Sequence, residues 1–337
     1  MPEKIGIITA DPAAMLPAGR VPGMGGIFKR LLANDMDFDR IRDNDVLRDR
    51  EWELFDSTVD RIARLQNWLV TDLIGRGLAY GFDGMSTTVL RWHRRGDIGD
   101  AEMSMSPLVK GVRDKPEWDS GLLPVPITFK DFELDGREIA MGRRAGDPLD
   151  TSYASDATYK VMDKIESTFV NGCGTYTFGG GSLQGLTNFT DRNTGSLGRD
   201  WDSSSCTGDN ILTDVLNMRQ ASIDDAHEGP WGVIYPSNYS AKVNSRFNAY
   251  SQQTILQAIL QIEGIQFCRV NYKLAVDQVV LFELQERTVR AAVGLQPKLV
   301  EWSEAGGLGM NYKVMGIIVP QMRADYDGKC GIVHFSG

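Results

Sequence analysis

Hydrophobic positions between residues 51 and 74 recur at the spacing of an α-helix. Charged residues separate a stripe of apolar side chains at steps of three, four and seven residues: Phe55, Val59, Ile62, Leu69 and Leu73. This stripe predicts an amphipathic helix that lies on another surface. Gly75 and Gly77 come next and are expected to end it.

A longer stripe predicts a second helix over residues 150–171. One face of this helix carries Ala154, Ala157, Val161, Ile165 and Phe169. Asp150 or Thr151 is expected to cap the first turn, and Gly172 is expected to end the helix in a left-handed conformation. At about 1.5 Å per residue, the helix forms a rod of roughly 30 Å.

Residues 87–106 alternate between apolar and polar positions and predict a β-hairpin. Its strands are Thr87–Arg95 and Ala101–Ser106, joined by the turn-rich segment Gly96–Asp100. A two-stranded ribbon is marginally stable on its own in water. Because residues 107–121 add little core material, we expect this region to lie on a partner surface.

The following strand is predicted from apolar residues at every second position, which are Leu123, Val125, Ile127 and Phe129. Phe132 and Leu134 continue the pattern one step out of phase. This change of phase predicts a bulge near Lys130–Asp131.

Beyond the long helix the pattern weakens and then alternates between helices and strands. Gly174–Asp209 is rich in Gly, Ser, Thr and Asn and predicts a loop. The predicted segments after it are a helix over 210–226, a strand over 232–235, a short helix from Ser237, mixed structure over 255–267 and a strand over 279–284. The tail from Val289 to Phe335 is rich in β segments.

Residues 1–50 cannot build a core of their own. They are rich in Gly, Pro and Met at first and in alternating charge from Asp35 onward. The segment is either a disordered tail or an arm that lies on neighbouring subunits. It lacks the basic and apolar regions of a secretory signal, and no later segment has the length of a membrane span, so we expect a soluble protein made in the cytoplasm.

Composition and charge exclude several classes of protein. The 337 residues are 42% hydrophobic and 24% charged, which is typical of a globular protein of about two domains. The formal net charge of -9 disfavours general affinity for the phosphate backbone of nucleic acid. An acidic wall is nevertheless compatible with a container for DNA.

Few residues are placed to carry chemistry. The four cysteines (Cys173, Cys206, Cys268, Cys330) are far apart and are expected to be reduced, and the three histidines (His93, His227, His334) have no metal-ligand spacing. The glycine clusters at 178–185 and 23–26 match no phosphate-binding motif and predict connecting loops. We therefore predict no catalytic, cofactor-binding or metal-binding residue, and we expect Trp92, Trp118 and Trp201 to be buried at contacts between subunits.

The order of these segments resembles the Hong Kong 97-type shell proteins, which include tailed-phage major capsid proteins and encapsulin nanocompartments. The similar stretch runs through Gly136–Ala140, Gly146–Asp150, the helix from Glu166 to Gly172, and Leu183–Asn188. It is similar to the run in which a strand, a Gly-Asp turn and a long backbone helix lead to a Gly-Leu segment.

This resemblance implies an α+β fold with an N-terminal arm, an extended β-hairpin loop, a long spine helix, and peripheral and axial domains. The implied parts are the arm (1–50), an N-terminal helix (51–85), the extended loop (86–125), a peripheral domain (126–208) with the spine helix at 150–171, an axial domain (209–286) and closing strands that return to the peripheral domain (287–337). The extended loop would overlie a neighbouring subunit.

The resemblance also implies a structural protein and not an enzyme. Identical subunits would form hexamers and pentamers of an icosahedral shell that encloses viral double-stranded DNA through non-specific contact. Scaffold, portal or decoration proteins are further implied partners, and the implied location is the virion capsid after assembly in the cytoplasm of a bacterial host. An encapsulin shell around a cargo enzyme is the alternative within the fold, and a monomeric α/β enzyme is the alternative outside it.

Overall fold

A computed structural model of the chain describes most residues from 55 onward. The described residues are 55–61, 63, 68–96, 101–103, 105–106, 108, 110, 113, 115–135, 151–248, 250, 252–304 and 309–337. The predicted arm at 1–50, the cap residue Asp150 and the strand and turn at 136–150 lie outside them.

In the first predicted stripe Phe55, Val59, Leu69 and Leu73 are buried, and Ile62 lies outside the described residues. Residues 55–61 are helical, and the further helices are α1 (Trp68–Gly75), α2 (Ser152–Asn171), α3 (Gly208–Asp224), α4 (Ser240–Val243) and α5 (Ile255–Leu260), with a 3-10 turn at Ser237–Tyr239. None of the helices in the described ranges combines the length and apolar character needed to cross a bilayer.

The strands form two principal sheets and two small hairpins. They are β1 (Ala79–Gly81), β2 (Val89–Arg95), β3 (Trp118–Pro124), β4 (Thr128–Asp135), β5 (Cys173–Phe178), β6 (Gly181–Leu183), β7 (Asn193–Ser196), β8 (Trp231–Tyr235), β9 (Ile265–Val270), β10 (Gln278–Glu283), β11 (Val289–Glu304), β12 (Gly309–Met322) and β13 (Ile332–Ser336). The four-stranded sheet has the order β1-β11-β12-β4, and the five-stranded sheet has the order β7-β13-β10-β8-β9.

Helix α2 packs its apolar stripe against β12 and β4 of the four-stranded sheet. All five residues of the predicted stripe are buried, so that prediction is confirmed. Gly172 follows at φ 65°, a region that favours glycine. The predicted cap is corrected, because the side chain of Thr151 makes no capping hydrogen bond, and its carbonyl instead accepts one from Ser155 Oγ at 2.9 Å.

The five-stranded sheet has its own core, covered by α3 and α5. Large side chains fill it, among them Trp201, Ile211, Trp231, Tyr239 and Leu281. All five residues of β8 are buried, as expected for a central strand with both faces covered. The predicted helix at 210–226 and the predicted strands at 232–235 and 279–284 are confirmed to within a few residues.

The predicted hairpin pairs with a different partner. Strand β2 pairs antiparallel with β3, and residues 101–106 contain no strand in their described part. The reason is burial: Leu123 on β3 is 4% exposed, whereas Met103 and Met105 are fully exposed. The hairpin is therefore longer than predicted, and its connection extends from residue 96 to residue 117.

The strand predicted across Leu123–Leu134 is two strands. The chain leaves β3 at Pro124 and re-enters a sheet at Thr128, and Pro126 lies between. Proline has no backbone N–H to donate, so Pro124 and Pro126 favour an interruption of the strand between β3 and β4. The predicted bulge near Lys130 is wrong, because the pairing of β4 with β12 is continuous.

The stretch Gly174–Asp209 contains strands where a loop was predicted. Strands β5 and β6 form a hairpin whose turn is Gly179–Gly180, and β7 pairs parallel with β13. Backbone hydrogen bonds do not require apolar side chains, so a sequence rich in small polar residues hid these strands.

The closing strands divide between the two sheets. β11 and β12, of 16 and 14 residues, pair with each other and form the middle of the four-stranded sheet. β13 instead pairs with β10, in the sheet formed mainly by residues 231–283. Ile332 is fully buried in the core beside α2, and Val333 is fully buried in the core beside α3. Because both faces of β13 are apolar, the strand buries them by lying inside a sheet.

Candidate assembly surface

The two-stranded sheet β2–β3, with its connection at residues 96–117, forms a ribbon. Along β2 the side chains alternate, and Arg91, His93 and Arg95 are exposed while Trp92 and Arg94 are half-buried. The ribbon therefore has an outer face that is polar and an inner face that lies toward the body of the subunit.

Two polar contacts tie the base of the ribbon to the body. Arg94 makes an ion pair with Asp191, at 3.0 Å, on the segment that precedes β7. Tyr326, near the C-terminus, hydrogen-bonds to Glu117. These contacts hold the base of the ribbon on its own subunit.

The glycine cluster near residue 180 is the surface on which the ribbon lies. A Cβ on Gly181 would overlap the carbonyl of Leu122 in β3, and a Cβ on Gly179 would come 2.6 Å from a methyl group of Val89 in β2. The cluster thus serves close packing between two hairpins, which the loop prediction did not reveal.

An open cleft of about 280 Å³ lies between the inner face of the ribbon and the body. Its walls combine apolar and polar side chains from five segments, including Trp92, Arg94, Leu122, Gln184, Phe189, Thr190, Asp191, Pro320 and Met322. The indole of Trp92 lies over Gly121 on the opposite strand.

Apolar side chains are exposed along the connection of the ribbon. Met103 and Met105 are fully exposed, and Leu108 is 88% exposed. The body also exposes Tyr250 and Tyr272. Where exposed apolar side chains form a contiguous patch, they mark a surface that contacts another molecule.

A buried carboxyl group joins the two sheets through α2. Glu166 accepts a hydrogen bond from Asn271 Nδ2 at 2.9 Å, and Asn271 follows β9 of the five-stranded sheet. Burial raises the pKa of Glu166 to about 7. The bond from Asn271 and the nearby amides of Leu69 and Val70, in the first turn of α1, offset this rise only in part.

Two further contacts reinforce the same joint. Lys273 makes an ion pair with Asp163 on α2, and Asn171, the last residue of α2, donates a hydrogen bond to the carbonyl of Lys273 at 2.7 Å. The loop after β9 is therefore held along α2 at three positions.

A second buried carboxyl, Glu283, lies at the end of β10 where the chain crosses to β11. It contacts His227 Nδ1 at 2.6 Å, Thr288 Oγ1 at 2.6 Å, Arg287 Nη2 at 2.8 Å and the amide of Gly229 at 3.3 Å. Burial alone would raise its pKa, but the bonds from His227, Arg287 and Thr288 outweigh burial and lower it to about 2.

The histidines lie in three different places. His93 is on the outer face of the ribbon, His227 contacts Glu283, and His334 on β13 has a pKa lowered to about 4 by burial and by Arg192. Across the described ranges, no three His, Cys, Asp or Glu side chains form a group that could hold a metal ion.

The cysteines do not pair, as predicted. Cys206, Cys268 and Cys330 are buried and Cys173 is half-buried, and all are free. Burial raises the pKa of both Cys268 and Cys330 to about 12, which disfavours the reactive thiolate.

The tryptophan prediction is wrong for Trp201. This residue is fully buried within its own subunit and donates a hydrogen bond to Asp214 at 2.9 Å. Trp118 remains 65% exposed. Asp214, Glu166 and Glu283 do not lie at a recognisable sequence spacing from their hydrogen-bond partners. The sequence therefore gave no signal that would predict these bonds.

The comparisons with known proteins match most of the chain. A family model described as a family of unknown function (DUF6260) matches residues 43–335. None of the curated protein sequences compared with the chain gives a match.

Several solved structures share the fold. A virus-like particle from Pyrococcus furiosus has a TM-score of 0.60 at 17% identity and covers 85% of this chain and 99% of its own. The capsid of Myoviridae phage XM1 has a TM-score of 0.63 at 13% identity, and the match covers 78% of this chain and 90% of the phage chain. The capsid of an empty GTA particle has a TM-score of 0.56 at 10% identity, and the match covers 77% of this chain and 88% of the GTA chain.

Proposed function

The chain belongs to DUF6260, a family of unknown function, and has the Hong Kong 97-type fold that its sequence resembles; on this premise we propose that it is the major capsid protein of a tailed bacteriophage. Its role would be structural and not enzymatic. The observation that carries the proposal is the ribbon, whose connection exposes Met103, Met105 and Leu108 on the isolated subunit.

Burial against identical copies is the physical basis of this function. Apolar surface that is costly in water for a single subunit becomes buried when subunits overlap in a closed lattice. Many modest contacts, each repeated in every subunit, then act together. We propose hexamers and pentamers of an icosahedral shell.

The two sheets would correspond to the two proposed domains. The four-stranded sheet with α2 as its spine would be the peripheral domain, and the five-stranded sheet would be the axial domain, which gathers around the symmetry axes. Residues 1–50 would be an arm on neighbouring subunits. This division moves β7 and β13 to the axial domain.

The proposed content of the shell is double-stranded DNA held without specific contacts. The net charge of -9 suits a wall that does not retain the phosphate backbone. Scaffold, portal and decoration proteins would be further partners. Assembly would take place in the cytoplasm of a bacterial host, and the mature location would be the virion.

The alternative within the fold is a nanocompartment that encloses a cargo enzyme. The fold is similar to that of a virus-like particle from Pyrococcus furiosus, and the match covers 99% of that chain. This likeness supports the nanocompartment as a second candidate function. Double-stranded DNA in purified particles would support the phage capsid, and a bound cargo protein would support the nanocompartment.

Light scattering and negative-stain microscopy of the purified full chain test the proposal. We expect closed particles of uniform size. A monomeric α/β enzyme would instead have a radius of gyration of about 20 Å. Monomers that form no closed particle in any solution condition, and that turn over a substrate, would exclude the shell function.

A further inference from the structure

The outer face of the ribbon carries three basic residues and an exposed tryptophan. Arg91, His93 and Arg95 alternate along β2 and are all exposed. The register of the ribbon places Trp118 opposite Arg95, on the same face. Trp118 is 65% exposed, and its ring makes an edge-to-face contact with the ring of His93, with the centroids 6.4 Å apart.

The two arginines of this face have no counter-charge, whereas the arginine between them has two. Arg94 points to the inner face and makes ion pairs with Asp119 at 3.4 Å and with Asp191 at 3.0 Å. Among the described residues, neither Arg91 nor Arg95 has an ion-pair or hydrogen-bond partner. The ribbon therefore neutralises its inner arginine and leaves the outer ones available.

The composition of the outer face is that of a protein-binding surface. By register, the positions opposite Arg91, His93 and Arg95 are Leu122, Ser120 and Trp118, so this stretch contains neither lysine nor a carboxylate. Trp and Arg are enriched among the residues that dominate binding at protein interfaces, and Lys, Asp and Glu are depleted there. The exposed indole supplies a rigid apolar surface beside the charges.

The surroundings of the face favour a partner with a few placed carboxylates over a polyanion. Residues 89–124 contain as many Asp and Glu as Lys and Arg residues, and the whole chain has a net charge of -9. A nucleic-acid backbone carries a charge at every nucleotide, so it would extend past the two arginines onto this acidic surface.

The spacing of the arginines specifies the shape of the partner. Positions four residues apart in a strand lie on the same side, about 13 Å from each other. An extended segment with carboxylates at positions i and i+4 therefore matches Arg91 and Arg95. Each guanidinium can hold one carboxylate through two parallel hydrogen bonds. An apolar side chain at position i+2 then lies beside the rings of His93 and Trp118.

We propose that the outer face of the ribbon, formed by Arg91, His93, Arg95 and Trp118, docks an extended acidic segment of a different protein. This inference rests on the proposed shell function and assigns the place at which an added protein binds the shell. The carboxylates of the segment pair with the two arginines, and its apolar residue packs on the indole. A neutral or basic segment would cover the arginines without a counter-charge, which is costly.

Binding of a defined peptide to the purified full chain tests the site. The probe is a fluorescein-labelled peptide, Ser-Thr-Glu-Thr-Leu-Thr-Glu-Thr-Ser, whose threonines favour extended backbone and whose carboxylates are four residues apart. Fluorescence polarisation measures its dissociation constant. The control peptide has Gln in place of both Glu residues, and we expect it to bind at least about tenfold more weakly.

Two variants remove the binding groups from the chain. The double substitution Arg91→Ser, Arg95→Ser and the single substitution Trp118→Ser should each raise the dissociation constant at least about tenfold. The matched control is Lys160→Ser, Lys164→Ser, which removes two exposed cations from α2 and should leave binding unchanged. Circular dichroism checks that each variant is folded. Equal binding by all variants, or no binding by the unsubstituted chain, would overturn the inference.

Two further measurements identify a different occupant of the face. A duplex DNA fragment that binds more tightly than the peptide, and that is released by Arg91→Ser, Arg95→Ser, would assign the face to nucleic acid and overturn the inference. Loss of closed particles in the same folded variant would assign the face to a second copy of the chain, with the same consequence. Failure of the unsubstituted chain to form particles would count against the shell function itself, while the peptide measurements still decide on the docking site.

Discussion

Glu166 on α2 accepts a hydrogen bond from Asn271 beside β9 and thereby connects the helix of one sheet to a loop of the other. The contact joins residues 105 positions apart in the sequence. Because the carboxyl is buried and its pKa is raised to about 7, the strength of this joint depends on protonation.

The first prediction concerns the pH dependence of stability. The folded state binds the Glu166 proton more tightly than the unfolded state does, so its contribution is fully present below about pH 4.5 and is lost as the pH rises through about 7. Glu166→Gln should remove this dependence and stabilise the protein at pH 8 by up to about 3 kcal/mol.

Urea unfolding of the subunit from pH 5 to pH 8 measures this effect. Asp156→Asn, on the exposed face of the same helix, is the matched control and should leave the pH dependence unchanged. Parallel pH profiles for the native chain and Glu166→Gln would contradict the prediction.

The second prediction concerns the carboxyl at the crossing between the sheets. Glu283→Ala leaves the buried side chains of His227 and Thr288 without their acceptor, and we expect it to reduce the free energy of unfolding by about 3 to 5 kcal/mol. Glu286→Ala, three residues away and exposed, should cost less than about 0.5 kcal/mol. Thermal denaturation compares them, and similar losses would refute the structural role of Glu283.

Glu283 also predicts sensitivity to acid. Its pKa is lowered to about 2, so the stability that it contributes is present above about pH 4.5 and is lost as the pH falls toward 2. The native chain should therefore lose stability over this range, and Glu283→Gln should lose less. Denaturant titrations at pH 3 and pH 5 measure how much unfolding free energy the native chain and Glu283→Gln each lose between these two pH values.

The next prediction concerns the contact between Trp92 and Gly121. A Cβ on Gly121 would overlap the indole ring, so Gly121→Ala should displace the ring and cost about 1 to 3 kcal/mol. Near-ultraviolet circular dichroism and tryptophan fluorescence report the displacement. Gly75→Ala has open space around the new methyl group and serves as the control; spectra that change equally in both variants would argue against the contact.

The last prediction separates folding from assembly. Gly96 and Glu117 are already joined by a backbone hydrogen bond of 2.9 Å, so an Asn-Gly turn can replace residues 97–116 without moving β2 or β3. The shortened chain should remain folded and form no closed particles. Loss of folding would show that the connection belongs to the core of the subunit, and normal particles would show that assembly does not use it.

The long helix illustrates what can be predicted from local pattern. Its five-residue stripe is apolar because each position faces one sheet, and an i, i+3, i+4 pattern reports such burial directly. The hairpin illustrates the limit. The alternation at residues 101–106 is the pattern of a strand, but β2 pairs with β3, where Leu123 is buried. No local pattern predicts that the partner strand lies this far along the chain.

The sequence by itself determined the two amphipathic helices, the α+β class, the unpaired cysteines and the likeness to a shell-protein family, because each depends on residue type at short spacing. Only the tertiary structure decided the partner of β2, the place of β13 and the buried environments of Glu166 and Glu283. Those features depend on which distant segments meet, since burial and hydrogen bonding are properties of the packed chain and not of any single stretch.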